Sequence, residues 1–159
     1  MDHEHHHGGV EQQDKRALTR SAISATAHCL TGCAIGEVLG MVIGTALGWG
    51  NLATIVLAIA LAFLFGYSLT ILPVLRAGVG LGAAIGVAFA ADTLSITVME
   101  IVDNLFMVLI PGAMDAGLTS WLFWLSLAAA LAIAFVLTVP VNRALISRGK
   151  GHAVVHQYH

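Results

Sequence analysis

Residues 52–75 read LATIVLAIALAFLFGYSLTILPVL, with no charged side chain before Arg76. About 20 residues at 1.5 Å rise cross the hydrocarbon layer of a bilayer, and an apolar run of about eighteen or more marks a spanning helix. This run meets that length. It lies in a chain of 159 residues that is 58% hydrophobic and only 10% charged, with a mean hydropathy of +0.87. A soluble domain carries about a quarter charged residues. A chain this apolar cannot cover its own surface in water, so the excess faces lipid. The short alternating segments of a transmembrane β-barrel are absent from the sequence. The expected fold is all-α, an integral membrane bundle of about four transmembrane helices.

Working outward from that run, Gly48-Trp49-Gly50-Asn51 forms a tight turn. Trp49 suits the membrane interface, and Asn51 is expected to cap the helix over 52–75. Pro73 kinks or stops that helix near its end. Upstream, the first helix is expected over 21–49. Downstream, Gly78, Gly80, Gly82 and Gly86 open a third segment over 79–110, long enough to tilt or to break near its glycines. Pro111-Gly112 ends it. The fourth helix is expected over 119–141, capped by Thr119 or Ser120 and closed by Pro140. The chain thus divides into a disordered, His-rich cytoplasmic tail (1–19), a four-helix membrane domain (20–142) and a second cytoplasmic tail (143–159) bearing His152, His156 and His159. A signal peptide does not fit residues after Lys15-Arg16: the apolar run is too long, holds His28 and Glu37, and has no clear cleavage site.

Charge distribution sets the orientation. Lys15, Arg16 and Arg20 precede the first helix, Arg76 lies between the second and third, and Arg143, Arg148 and Lys150 follow the fourth. With four spans all seven fall on one side, which the positive-inside rule makes cytoplasmic. Both termini are then expected in the cytoplasm, and the protein in the cell's inner membrane. No basic stripe suggests nucleic acid. Cys29 and Cys33 lie within an apolar run, which argues against a disulfide framework. There is no nucleotide-binding loop, which argues against ATP-driven pumping by this chain alone. No enzymatic activity is expected.

The ionisable groups inside the spans are concentrated on helices one and three: His28, Glu37, Asp92, Glu100 and Asp103, with Cys29 and Cys33 among them. A carboxylate at the bilayer centre costs about 2.5–3.5 kcal/mol even on the lenient insertion scale. Such groups belong in a bundle interior or a wet cavity. Helices one and three are therefore expected to pack together, with two and four mostly facing lipid.

Helix one carries two columns spaced by four. Gly32, Gly36, Gly40, Gly44 and Gly48 form a groove for close backbone approach, either by helix three or by the same helix of another subunit. Beside it run Cys29, Cys33, Glu37, Met41 and Thr45. On helix three, Asp92, Met99 and Asp103 fall within about 40° of one another, with Glu100 and Met107 further round and Ser95 at the border. Two readings compete. In one these side chains are ligands along an ion path; in the other, small residues pack a seam, Glu37 is neutral or hydrogen-bonded, and Glu100, Asp103 and Asn104 line a hydrated outer vestibule.

Ordered by depth, Asp115, Met114, Met107, Asp103, Glu100 and Met99 lie outermost, then Asp92, Met41 and Glu37, then Cys33, Cys29 and His28 on the inner half. Thioethers and thiols suit Cu(I); thiols, imidazole and carboxylates also suit Zn(II). The expected metal ligands are Cys29, Cys33, His28, Met41 and Met99, and the ion or proton path is Glu37, Asp92, Glu100 and Asp103. Cys29 and Cys33 can grip one ion, but His28 is turned about 100° from Cys29 and meets a partner across the glycine face. A complete site needs a second helix. A redox pair is disfavoured because helical i, i+4 side chains run parallel, and haem ligation lacks a second axial histidine within a span.

The stretch HCLTGCAIGEVLGM (28–41) resembles the signature of DUF4396, a bacterial membrane family named as a domain of unknown function. The resemblance extends over about 22–142, including Asp92-Thr93 and Glu100. It implies a compact multi-helix membrane fold and supplies no activity.

The sequence thus points to a small permease or channel for a cation, with a soft transition metal (copper or zinc) as the first expectation and a homo-oligomer as the expected state. The alternatives are a non-transporting accessory or scaffold subunit, and a proton-coupled carrier of another solute.

Overall fold

The computed structural model describes residues 5–113 and 115–148, with side chains from Gln12 onward. It contains α1 (His5–Ala46), α2 (Asn51–Arg76), α3 (Leu81–Leu109) and α4 (Trp121–Ser147). All four are long and apolar enough to cross a membrane. The all-α membrane bundle expected from the sequence is the observed architecture. Large apolar side chains such as Leu52, Leu109, Trp121 and Val136 point outward, where only lipid can accept them.

At three places the helices either depart from expectation or decide between the forms expected. First, α1 begins at His5 rather than near 21, so the stretch read as a disordered tail is helical from His5 onward. Gln12, Gln13, Lys15, Arg16, Ala17 and Leu18 are good helix formers with no proline among them, so the first span propagates beyond the bilayer. At 1.5 Å per residue its 42 residues extend about 63 Å, roughly twice the hydrocarbon thickness. Second, α3 is continuous, with its glycines at and just inside the start. Third, Pro140 does not close α4, which continues to Ser147. A proline removes one backbone bond, and spanning helices tolerate that loss because neighbouring groups re-satisfy the backbone. Arg143 is therefore helical. Residues 1–4, Met114 and 149–159, with His152, His156 and His159, lie outside the described residues.

Caps follow the same logic. Ser120 caps α4, its hydroxyl accepting from the Leu122 amide at 3.2 Å. Asn51 does not cap α2; Gly50 occupies that position. Instead the Asn51 amide donates to Asp115 at 3.1 Å, tying the α1–α2 turn to the α3–α4 connection at one end of the bundle. Gly48 turns the chain there with φ 66°, a left-handed conformation that favours glycine.

The packing order corrects one expectation. The glycine column of α1 seats against α2 of the same chain, not against α3. Gly32 faces Gly66, Gly36 faces Ala62, Gly40 faces Ala58 and Gly44 faces Thr54. A Cβ at Gly32 or Gly40 would lie 2.6 Å from the opposing Cα, and one at Gly36 would overlap the Ala62 backbone. The α2 side of this seam is itself a column spaced by four: Thr54, Ala58, Ala62, Gly66 and Thr70, all buried. This is the small-residue packing by which membrane helices approach closely. α2 still buries the smallest share of its apolar window and α3 the largest. So α2 does face lipid over most of its surface, apart from one tightly packed stripe.

Candidate functional site

Turning about 100° round α1 from the glycine column brings the second column against α3. Cys29 Sγ donates to Asp92 Oδ1 at 3.6 Å. One turn on, Cys33 Sγ lies 4.0 Å from Met99 Sδ. One further turn brings Glu37 to Asn104, whose amide reaches Glu37 Oε1 at 3.4 Å. The same amide donates to the Glu100 carbonyl at 2.9 Å and to Glu100 Oε2 at 3.3 Å. α1 and α3 run parallel, so successive turns of the two columns meet at matched depth, Cys29 with Asp92, Cys33 with Met99 and Glu37 with Asn104.

Cys29, Cys33, Glu37, Asp92, Met99, Glu100 and Asp103 are all buried. Glu37 and Asp103 interact across the seam, and Glu100 stands beside both Glu37 and Cys33. A small cavity of about 10 Å³ opens beside Glu37 and Asn104, bordered by Met41, Met107, Thr54 and Phe123. That is the space one water needs. Glu100 Oε1 and both carboxyl oxygens of Asp103 are buried without a hydrogen bond among the described residues. Glu37, Glu100 and Asp103 are therefore enclosed within the bundle.

The charge balance of this seam is lopsided. No Lys or Arg occurs between Arg20 and Arg76 or between Arg76 and Arg143. Buried charges are ordinarily paired or bound to a metal. Glu37, Glu100 and Asp103, gathered together and buried with no Lys or Arg in those stretches, require a compensating cation or protons.

His28 stands apart, as its position on the glycine face implied. Its Nε2 lies 3.1 Å from Thr70 Oγ1 on α2, and Thr70 also stands beside Asp92. His28 thus faces α2, whereas Cys33, on the same helix, faces Met99 of α3. Met41 sits at the small cavity with Glu37, away from the thiols. Among the described residues, no three His, Cys, Asp or Glu side chains converge as a ready metal-ligand set. The five expected metal ligands therefore split into separate neighbourhoods.

The sequence reading missed a polar layer in the same half of the bundle as Asp92. Asn142 of α4 accepts a short hydrogen bond from Ser95 of α3 and donates to Thr26 Oγ1 of α1 at 2.9 Å. All three residues are buried, so one amide joins three helices. Reading Pro140 as the close of a helix over 119–141 leaves Asn142 just outside that helix, at the edge of the membrane domain. Asn104 was also underweighted. Its spacing of four from Glu100 was the available signal, since residues at that interval share a helix face.

Nothing among curated proteins or solved structures matches the chain. Residues 19–151 match the family described as a domain of unknown function, DUF4396, a stretch that takes in all four helices except the N-terminal part of α1. By fold, by motif and by that match, the chain belongs to the DUF4396 family.

Proposed function

We propose that this chain is a small cation permease or channel of a cell membrane, with the path running along the α1–α3 seam. The observation that carries the reading is the cluster of three buried carboxyl groups, Glu37, Glu100 and Asp103, in a chain with no Lys or Arg between Arg20 and Arg76 or between Arg76 and Arg143. An idle acid at that depth is costly, whereas a path for positive charge uses it. Glu37, Glu100, Asp103 and Asn104 form the outer station beside the small cavity. Asp92 with Cys29 forms the inner one. The positive-inside rule puts the Lys- and Arg-bearing end, with both termini, in the cytoplasm.

A soft transition metal, copper or zinc, is the narrower form of this proposal. Thiolate and thioether sulfur together suit Cu(I), and Cys33 Sγ and Met99 Sδ lie 4.0 Å apart. Glu100 is at hand as a third donor. Against it, no three His, Cys, Asp or Glu side chains converge among the described residues. That observation favours a second reading, a proton-coupled carrier in which the carboxyl groups take protons and the thiols are incidental.

The test is flux into proteoliposomes containing the purified protein, with zinc, Cu(I) and proton indicators run in parallel. Metal flux abolished by Cys33→Ser supports the soft-metal form. Proton flux that survives Cys29→Ser/Cys33→Ser but not Glu37→Gln/Asp103→Asn supports the carrier. No flux of any cation, from protein that remains folded, overturns both and leaves the scaffold reading.

A further inference from the structure

At the end of the bundle that carries the termini, α1 and α4 leave a cleft of about 530 Å³ between them. Its walls hold Lys15, Arg16, Arg20 and Arg143, with Gln12 and Thr19 between them and Ile23 at the end nearest the spans. Four of the chain's seven Lys and Arg residues converge here. The convergence has two structural causes. On α1, Arg16 and Arg20 are four apart and Ile23 follows three later, so all three share a face. On α4, the helix continues past Pro140 and carries Arg143 to the same place. The neighbouring acid in sequence, Asp14, does not line the cleft.

The cleft is graded from charged to apolar. The cationic side chains lie toward the helix ends, while Ile23, 45% exposed, faces outward at the depth where the membrane domain begins. A guanidinium fork matches the paired oxygens of a phosphate. Basic pockets between spanning helices at the cytoplasmic side are suited to anionic lipid headgroups. We infer that this cleft binds the headgroup of an anionic phospholipid, with Arg16, Arg20 and Arg143 on the phosphodiester and an acyl chain along Ile23. Free phosphate offers the same oxygens but nothing for Ile23 to cover, which is why the lipid is the assigned ligand. The site is separate from the acidic seam and does not depend on what that seam carries.

The experiment is native mass spectrometry of the full chain in detergent, titrated with phosphatidylglycerol or with phosphatidylcholine. Phosphatidylglycerol is expected to bind preferentially, and each of Arg16→Gln, Arg20→Gln and Arg143→Gln to weaken it about fivefold, the loss of one surface cation–lipid attraction. Arg76→Gln, outside the cleft, controls for net charge and is expected to change nothing. All four arginines are exposed, so these single variants retain the fold. Equal retention of phosphatidylglycerol by the three cleft variants and the wild type would overturn the site. So would an equal loss in Arg76→Gln. Full displacement of the lipid by millimolar inorganic phosphate would reassign the cleft to a free anion and end the lipid assignment.

Discussion

Two faces of α1, about 100° apart, do opposite work. One is a column of glycines pressed against Thr54, Ala58, Ala62 and Gly66 of α2. The other is a column of thiols and a carboxylate facing Asp92, Met99, Glu100 and Asn104 of α3. The first contact has no polar side chains along most of its length and no room for a methyl group. The second is polar and holds a water-sized cavity. Holding one helix rigidly on one side lets the other side keep groups whose desolvation is unfavourable. A close seam of small residues gains van der Waals contact that lipid cannot supply, and that gain offsets the cost of the acids next to it.

The sharpest way to break this contrast is to enlarge the tight side. Gly36→Leu forces a side chain into the Ala62 backbone, and overpacking of this kind costs about 1–3 kcal/mol or more. Loss of the folded, monodisperse species is expected in size-exclusion and thermal unfolding in detergent. Gly36→Ala is expected to be milder and to be partly restored by Ala62→Gly; an unshifted Tm in the leucine variant would mean that α1 and α2 are not in close contact.

On the other face the expectation reverses. Glu37→Gln/Asp103→Asn is expected to leave stability within about 1 kcal/mol of wild type, or to raise the Tm, since removing buried charge is often neutral or stabilising. Cation flux is expected to fall about tenfold or more, the effect of losing about 1.4 kcal/mol of affinity at a site on the path. A double variant that unfolds while wild-type flux is nil would make these acids structural.

Between these extremes stands Asn142. Asn142→Ala leaves the Ser95 and Thr26 hydroxyls to find other partners, at a cost of about 1–3 kcal/mol. Thermal unfolding reads it, and an unchanged Tm would mean that the three-helix junction contributes nothing. The smallest effect is expected at Thr138, whose buried hydroxyl has no partner among the described residues. Thr138→Val keeps the shape and removes the unsatisfied group, with an expected gain of about 1 kcal/mol or less. A loss of stability would reveal a partner for that hydroxyl.

The polar seam was legible because carboxylates in an apolar run are conspicuous, and their periodicity points them to one side of a helix. Cys29, Cys33 and Glu37 did find Asp92, Met99 and Asn104 on α3. The partner of the glycine column, α2, differs from the expected one because α2 carries no ionisable group to mark its packed face. The matching signal was present in α2, where Thr54, Ala58, Ala62, Gly66 and Thr70 recur every fourth residue. Small apolar residues within an apolar run do not stand out, although their spacing is as regular. The roles of Asn142 and Arg143 were hidden by a proline rule that holds in water and weakens in a bilayer.

What the sequence by itself determined is the number of spans, the all-α class and the identity of the polar faces, because hydropathy and a 3.6-residue period are local properties. Which helix meets which face was decided only in three dimensions. Every apolar surface of such a bundle is equally content with lipid, so the pairing turns on shape: glycine opposite alanine, a thiol opposite a carboxylate, one amide within reach of two hydroxyls. Those complementarities exist only between helices, and no single segment of the chain contains them.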